Sequence, residues 1–546
     1  MKVLINISAI LFLTLWMLGL CHAQQQDTVT QQKELPKLEI PEITIIGKKA
    51  ITLPFARKGE IFDVSIYEAP PPDTSLLLER SSVQLPVGSL PRYEQREQPW
   101  RASVLGSFGS FTSGNLRGYI DYKAQQWGIS SSIGYSTTDG HIDNASGSAF
   151  HAGVSAHSLI YTDNDILQSL RGSLGVSFDH DSYGMFGIQT ANIERERDHV
   201  VLHSSLGSLR RQGIVMDVKF GADIWTVSDA QVGIDSEVSV VSPQLGVSFA
   251  SNLGDIRLIT ELSYSSSSLD YYSATEAPSL FGVSANARWR LQDQLFLQLG
   301  GMYAGGSDHQ GNSRTLVAPM AMVKFEIDPG RTLAVWFRPE MYLSKYGDHS
   351  RQNPYLVRDI DLRPERKPIH VGGTLWYNRG ILTLELQGSY AESSNKEITL
   401  ADSGRIRLEY VDAKQVQIQA TGSVNVSERG RLSFTGIIQP AREKSGSSQL
   451  PMLPLVTVQG RGELDLDIPL VLWSSVEYQS KRNVDRTGAT PLGDFLALGA
   501  GASTKIIPRA LLSLEISNIF NTAYQWWSSY VAPGRRIMLE AKIHLQ

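Results

Sequence analysis

Cysteine is all but missing from this chain: the one copy, Cys21, closes an opening apolar run. Met1-Lys2 precede the run from Val3 to Leu20, and Cys21-His22-Ala23 lead into Gln24, the layout of a secretory signal peptide cleaved after Ala23. A lipid-modified Cys21 is disfavoured, because bulky Leu20 stands where such a site takes a small residue. Removing residues 1–23 leaves no thiol, which excludes a disulfide framework and a thiolate metal site. A second long apolar run is also missing, and a membrane helix needs about 18 such residues. Any membrane role therefore falls to strands, which cross lipid only as a closed barrel with every backbone group paired. Strong charge bias is missing too: a net charge of -5 gives no basic surface for nucleic acid. Catalytic spacing does not stand out. Asp179-His180-Asp181 and Asp348-His349 read as solvated polar clusters, so neither an enzyme nor a metal or cofactor is expected.

What is present is alternation. In 214–224, Ile214, Met216, Val218, Phe220, Ala222 and Ile224 fall on one strand face, and Asp217, Lys219 and Asp223 on the other. In 456–468, Val456, Val458, Leu464, Leu466 and Ile468 oppose Thr457, Gln459, Arg461, Glu463, Asp465 and Asp467. The last segment repeats this, with Ile537, Leu539, Ala541 and Ile543 against Met538, Glu540, Lys542 and His544. One greasy and one charged face, repeated along the chain, fits a wall between lipid and water, with a wet lining of mixed sign.

Connections alternate in length. Tight turns at Gly254-Asp255, Asp328-Pro329-Gly330, Asn378-Arg379-Gly380 and Glu428-Arg429-Gly430 carry the residues hairpins need. Longer polar stretches intervene near 136–146, 180–197, 226–236, 345–366, 394–403 and 521–533. Short periplasmic turns and longer external loops are the outer-membrane pattern. Counting segments from Arg101 gives an all-β, transmembrane, antiparallel up-and-down barrel of about 22 strands over 100–546. Trp225, Trp473, Trp526 and Trp527 are expected as interfacial girdle residues.

Three motifs, in order along the barrel, resemble the TonB-dependent receptors. The first is Gly106-Ser107-Phe108-Gly109, like that family's first barrel strand. The second is Asn353-Pro354-Tyr355-Leu356 followed by Leu362-Arg363-Pro364-Glu365-Arg366. The third is Asn518-Ile519-Phe520-Asn521, then Tyr524, Tyr530 and Pro533-Gly534-Arg535 before a final strand. The resemblance implies a receptor or transporter energised through the TonB system, for chelated iron, corrinoids or oligosaccharides. Glu42, Ile43, Thr44, Ile45, Ile46 and Gly47 resemble a TonB box, able to add a strand to a periplasmic partner's sheet; a strand that pairs locally is the other reading.

The chain departs from the family in front of the barrel. Only residues 24–99 are available for the globular plug, and Ala69-Pro70-Pro71-Pro72, Pro86, Pro91 and Pro99 break up any long element, so this periplasmic or lumenal segment is expected to be short and largely irregular. Two functions follow. One is a receptor-like transporter closed by a reduced plug or by a separate plug protein. The alternative is a plugless barrel acting as a structural or assembly scaffold, or as a pore closed by a partner. Expected partners are outer-membrane lipid, the assembly machinery, and TonB or a plug protein.

Overall fold

The computed structural model describes residues 100–545, apart from 162–168, 189–192, 209–213, 232–233, 271–276, 359 and 403. The signal-peptide, plug and TonB-box-like expectations for residues 1–99 lie outside the described residues.

Antiparallel strands run from Trp100–Gly109 to Arg536–His544, and the two ends pair with each other, from Ser103 with His544 to Gly109 with Met538. That pairing closes a barrel of 22 strands. Among the described residues no helix is long and apolar enough to cross a membrane.

The alternation read from the sequence becomes the two faces of the wall. Val218 lies between Leu206 and Val247 on the neighbouring strands, and Asp217 between Gly207 and Ser248. Outward apolar side chains such as Leu116, Ile133, Leu174, Phe220 and Leu539 stay exposed, which in water would be a large uncompensated surface. A closed, fully paired barrel with that exterior is an outer-membrane barrel. Asp467 departs slightly from its expected place. It sits beyond the end of Val456–Asp465 and pairs with Arg429 of the adjoining turn.

Two stretches expected as loops are instead tall hairpins. Ile214–Gln231 and Ile234–Leu253 stay paired up to Gln231 with Ile234, and Leu382–Asp402 and Arg405–Asn425 up to Asp402 with Arg405. Their polar composition reflects strands that continue beyond the bilayer, where both faces meet water or other loops. A bulge between Ser393 and Lys396 bends the second hairpin. One of its faces carries Ile406 and Leu408 toward a connecting segment described below, while Ile398, Leu400, Val411 and Ala413 pack against Ala441 and Leu450.

Candidate functional site

The connection between strands Arg331–Phe337 and Glu365–Arg379 does not stand out in solvent. Its short strand Glu340–Tyr342 folds back onto Glu365–Lys367, and a helix, Tyr346–Gln352, follows. The helix is set locally. Lys345 has an extended backbone at the N-cap, Asp348 accepts the Lys345 N–H at 3.4 Å, and Asp348 pairs with Arg351 at 2.9 Å. It stops at Asn353 because the residue before a proline is driven to extended geometry, here φ -140° and ψ 100°. Asn353 Oδ1 then accepts the Tyr355 N–H at 3.0 Å, turning the chain.

This segment lies inside the barrel mouth, because the wall residues it touches belong to the lumenal face. Lys345 Nζ meets Asp223 at 2.7 Å, and Arg358 meets Asp229 at 3.0 Å. Arg195, 4% exposed, donates to the Pro354 carbonyl at 2.9 Å and also to that of Leu356, while its other nitrogens hold Asp229 at 2.6 and 2.9 Å. Arg197 donates to the Ser350 carbonyl and to Asp181, and Tyr183 Oη donates to the Pro354 carbonyl at 2.6 Å. Two guanidinium groups thus satisfy carbonyls that the irregular backbone would otherwise bury unpaired.

Apolar packing does the rest. Leu343, Tyr346, Leu356, Ile360 and Leu362 form one cluster with Trp225, Val227, Val238, Val240, Ile406 and Tyr530. Gly347 lies so close to Trp225 that a Cβ there would stand 2.3 Å from the indole nitrogen. The Tyr355 and Tyr530 rings stack at 3.5 Å and 15°. Burial pushes the Tyr346 phenol up to about 12, so it stays neutral.

The motif residues fall into three places. Asn353, Pro354, Pro364 and Glu365 belong to the mouth segment. Glu365 is its exit anchor, buried and accepting from Tyr342 and from Ser393 at 2.8 Å, with Lys396 at 3.5 Å. Asn518, Phe520, Asn521, Tyr524, Pro533, Gly534 and Arg535 lie in the connection before the last strand. There the Asn518 side chain holds Thr522 and the Pro533 carbonyl, and Asn521 Oδ1 accepts the Arg535 N–H at 2.7 Å. Phe520 itself is exposed, and Tyr524 stacks on Phe495 at 4.2 Å. Gly106 and Phe108 are wall positions, opposite Ala541 and Leu539.

The tryptophan expectation is corrected. Trp225 and Trp473 point inward and are buried; Trp225 stacks on His199 at 3.9 Å, and Trp473 lies under Arg461 at 4.5 Å. Trp526 and Trp527 sit in the last connection, against Phe495 and the mouth cluster respectively. The Asp179-His180-Asp181 run also differs from a solvated cluster. His180 faces outward to Asp198 at 2.8 Å, while Asp179 meets His151 at 2.7 Å and His199 at 3.5 Å on the lumenal side. His349 of the mouth helix is likewise buried, 3.4 Å from Glu397. Among the described residues no group of three or more His, Cys, Asp or Glu is placed to hold a metal ion.

No protein-family model and no curated protein matches the sequence. Solved structures do. The ferric yersiniabactin uptake receptor FyuA from Yersinia pestis aligns with TM-score 0.64 at 12% identity, over 82% of this chain and 81% of that one. The FrpB iron transporter from Neisseria meningitidis, in its F5-1 apoprotein form, gives 0.67 at 12%, over 82% and 81%. The ferripyoverdine receptor of the outer membrane of Pseudomonas aeruginosa gives 0.61 at 11%, over 82% and 72%. The fold is that of a TonB-dependent receptor barrel. On this receptor-type barrel, Asp223 stands on the wet face expected of it, and the elements missed by sequence reading are Tyr183, Arg195 and Arg197. The alternating Glu194-Arg195-Glu196-Arg197-Asp198 was the available signal, since it puts both arginines on one face.

Proposed function

We propose that this chain is an outer-membrane transporter of the TonB-dependent-receptor type, gated at its outer end by the segment 338–364. The observation that carries this reading is that segment's seating across the lumenal face through Lys345, Pro354 and Arg358, which a permanently open pore would not need. Residues 42–47 would supply the periplasmic contact, by adding a strand to the energising partner. The neighbouring structures bind iron or siderophore chelates, and one is a copper transporter; a chelated metal is accordingly the first cargo to try, as substrate rather than resident cofactor. Passage needs binding surfaces and no bond-making step.

The test is growth of a receptor-deficient host on a panel of ferric and cupric chelates, with the full chain or one lacking Glu42–Gly47. Growth that depends on residues 42–47, with barrel assembly unchanged, supports the reading. Growth indifferent to the deletion counts against it. Stable co-purification of a second protein without energy-dependent uptake favours the scaffold alternative.

A further inference from the structure

Transport leaves unused one polar array on the lumenal wall. Ser132 Oγ lies 2.9 Å from His151 Nε2, and His151 Nδ1 lies 2.7 Å from Asp179 Oδ1. The three come from strands Trp127–Thr138, Gly147–Tyr161 and Ser169–Gly184, which pair side by side. The hydrogen-bond order is hydroxyl to Nε2 and Nδ1 to carboxylate. It fixes the proton on Nδ1 and leaves the Nε2 lone pair toward the serine, as a nucleophile, base and orienter require. The array is open to the lumen, the His151 side chain being 41% exposed and that of Asp179 30%.

A second observation supplies room for a substrate. Opposite Ser132 stands Gly153, and the point where its Cβ would be is 3.2 Å from Ser132 Oγ, 3.4 Å from His151 Nε2 and 3.5 Å from Ser177 Cβ. A reacting carbonyl placed over Gly153 therefore meets the nucleophile and the base together. Ser177, paired with Gly153, offers a hydroxyl there that can donate to a developing oxyanion.

We propose that Ser132, His151 and Asp179 form a hydrolytic site that cleaves short-chain carboxylic esters within the lumen. Ser132 Oγ attacks the acyl carbon while its proton passes to His151 Nε2. The bond to the leaving alcohol breaks, and His151 gives the proton to the alcohol oxygen. Water, deprotonated by His151, then attacks the acyl-serine, releasing the carboxylic acid and restoring the Ser132 hydroxyl. His199, 3.5 Å from the other oxygen of Asp179, is a positioning residue. Ser132 is flanked by Gly153 on one strand and by Tyr119 on the other, with Ser130, Gly134 and Ser177 around them, so a short acyl group lying against Tyr119, on a polar alcohol, is the expected substrate. This inference stands independently of how transport is energised.

The experiment treats the full mature chain, folded in detergent, with a fluorophosphonate serine probe and with 4-nitrophenyl acetate. Heat-modifiability reports the folded fraction of each variant. The expected result is a label mapped to Ser132 and turnover that falls about 100-fold or more in Ser132→Ala and His151→Gln. Ser136→Ala, on the same strand, should keep both. Ser132→Cys should exchange the serine label for iodoacetamide reactivity, even if turnover is lost. A fold-competent protein with no label on Ser132, or with equal turnover in Ser132→Ala, overturns the proposal.

Discussion

Arg195 and Pro354 are 159 residues apart in the chain, yet the guanidinium donates to the proline carbonyl at 2.9 Å. One side chain so joins the barrel wall to the segment that spans its mouth. Arg195→Met keeps much of the volume but leaves the Leu356 carbonyl without its Arg195 donor, the Pro354 carbonyl with Tyr183 alone and Asp229 with Arg358 alone. Breaking a buried charge pair from one side costs about 3–5 kcal/mol. Hydrogen exchange in residues 343–362 should accelerate accordingly, while the strand core stays protected. Arg195→Lys should not restore it, because one ammonium nitrogen with three N–H donors cannot span the four acceptor atoms, two on Asp229 and two carbonyls, that the guanidinium fork reaches. Unchanged exchange in Arg195→Met would mean that packing alone seats the segment.

The second clasp, Lys345 to Asp223, makes seating depend on pH. His199 lies between Asp179 and Asp223, with Trp225 stacked on it, and Lys345 and Arg351 face it from the segment. Arg197 on its own strand is taken up by Asp181. With the imidazole neutral, two carboxylates attract Lys345 and Arg351. A proton on His199 cancels one of those charges and repels both cations, so by linkage acid favours the unseated state. Seating is then full where the His199 imidazole is neutral and weakens as pH falls through its titration. Protection of 343–362, corrected for intrinsic exchange, should fall several-fold on acidification in the wild type and change less in His199→Gln. His349, beside Glu397, is present in both proteins and cancels in the comparison. Equal pH dependence in the two would place the sensor elsewhere.

The wall was legible in the sequence for a physical reason. Period-two alternation such as Met216, Val218 and Phe220 against Asp217 and Lys219 is the direct imprint of lipid on one side and water on the other. Turn residues gave the hairpins, and hence the strand count. Alternation could not say where a strand leaves the bilayer, which is why 226–236 and 394–403 read as loops. Nor could it place Trp225, whose role depends on His199 and Gly347 from elsewhere in the chain. Asn353-Pro354 was visible as a motif, but its partner Arg195 was not, since nothing local links them. The Ser132, His151 and Asp179 array was hidden likewise: each member comes from a different strand, and only register brings them together.

The two faces of strand Ile214–Gln231 should respond oppositely to substitution. Val218 faces outward between Leu206 and Val247, so Val218→Arg would put a charge into lipid, at about 2–4 kcal/mol near the midplane. Asp217 faces the wet lumen and pairs only loosely, 3.6 Å from Lys219. Asp217→Ala should fold as the wild type does, and Val218→Arg should show a smaller heat-modifiable fraction after refolding. Equal folding of the two would reverse the assignment of faces.

The last connection depends on Asn518 for two separable reasons. Its backbone has φ 49°, which asparagine tolerates better than most residues, and its side chain is 6% exposed. Oδ1 accepts the Thr522 N–H at 3.0 Å, and Nδ2 donates to the Thr522 carbonyl at 2.9 Å. Asn518→Gly removes the side chain but relieves the backbone; Asn518→Ala removes the side chain and keeps the strain. Lost buried hydrogen bonds cost about 1–3 kcal/mol in either variant, and the alanine adds a positive-φ penalty of roughly 1 kcal/mol. Thermal unfolding should therefore rank wild type above Asn518→Gly above Asn518→Ala. If glycine matches the wild type, the turn needs only the backbone conformation, and the side-chain bonds contribute little to holding the final strand against Trp100–Gly109.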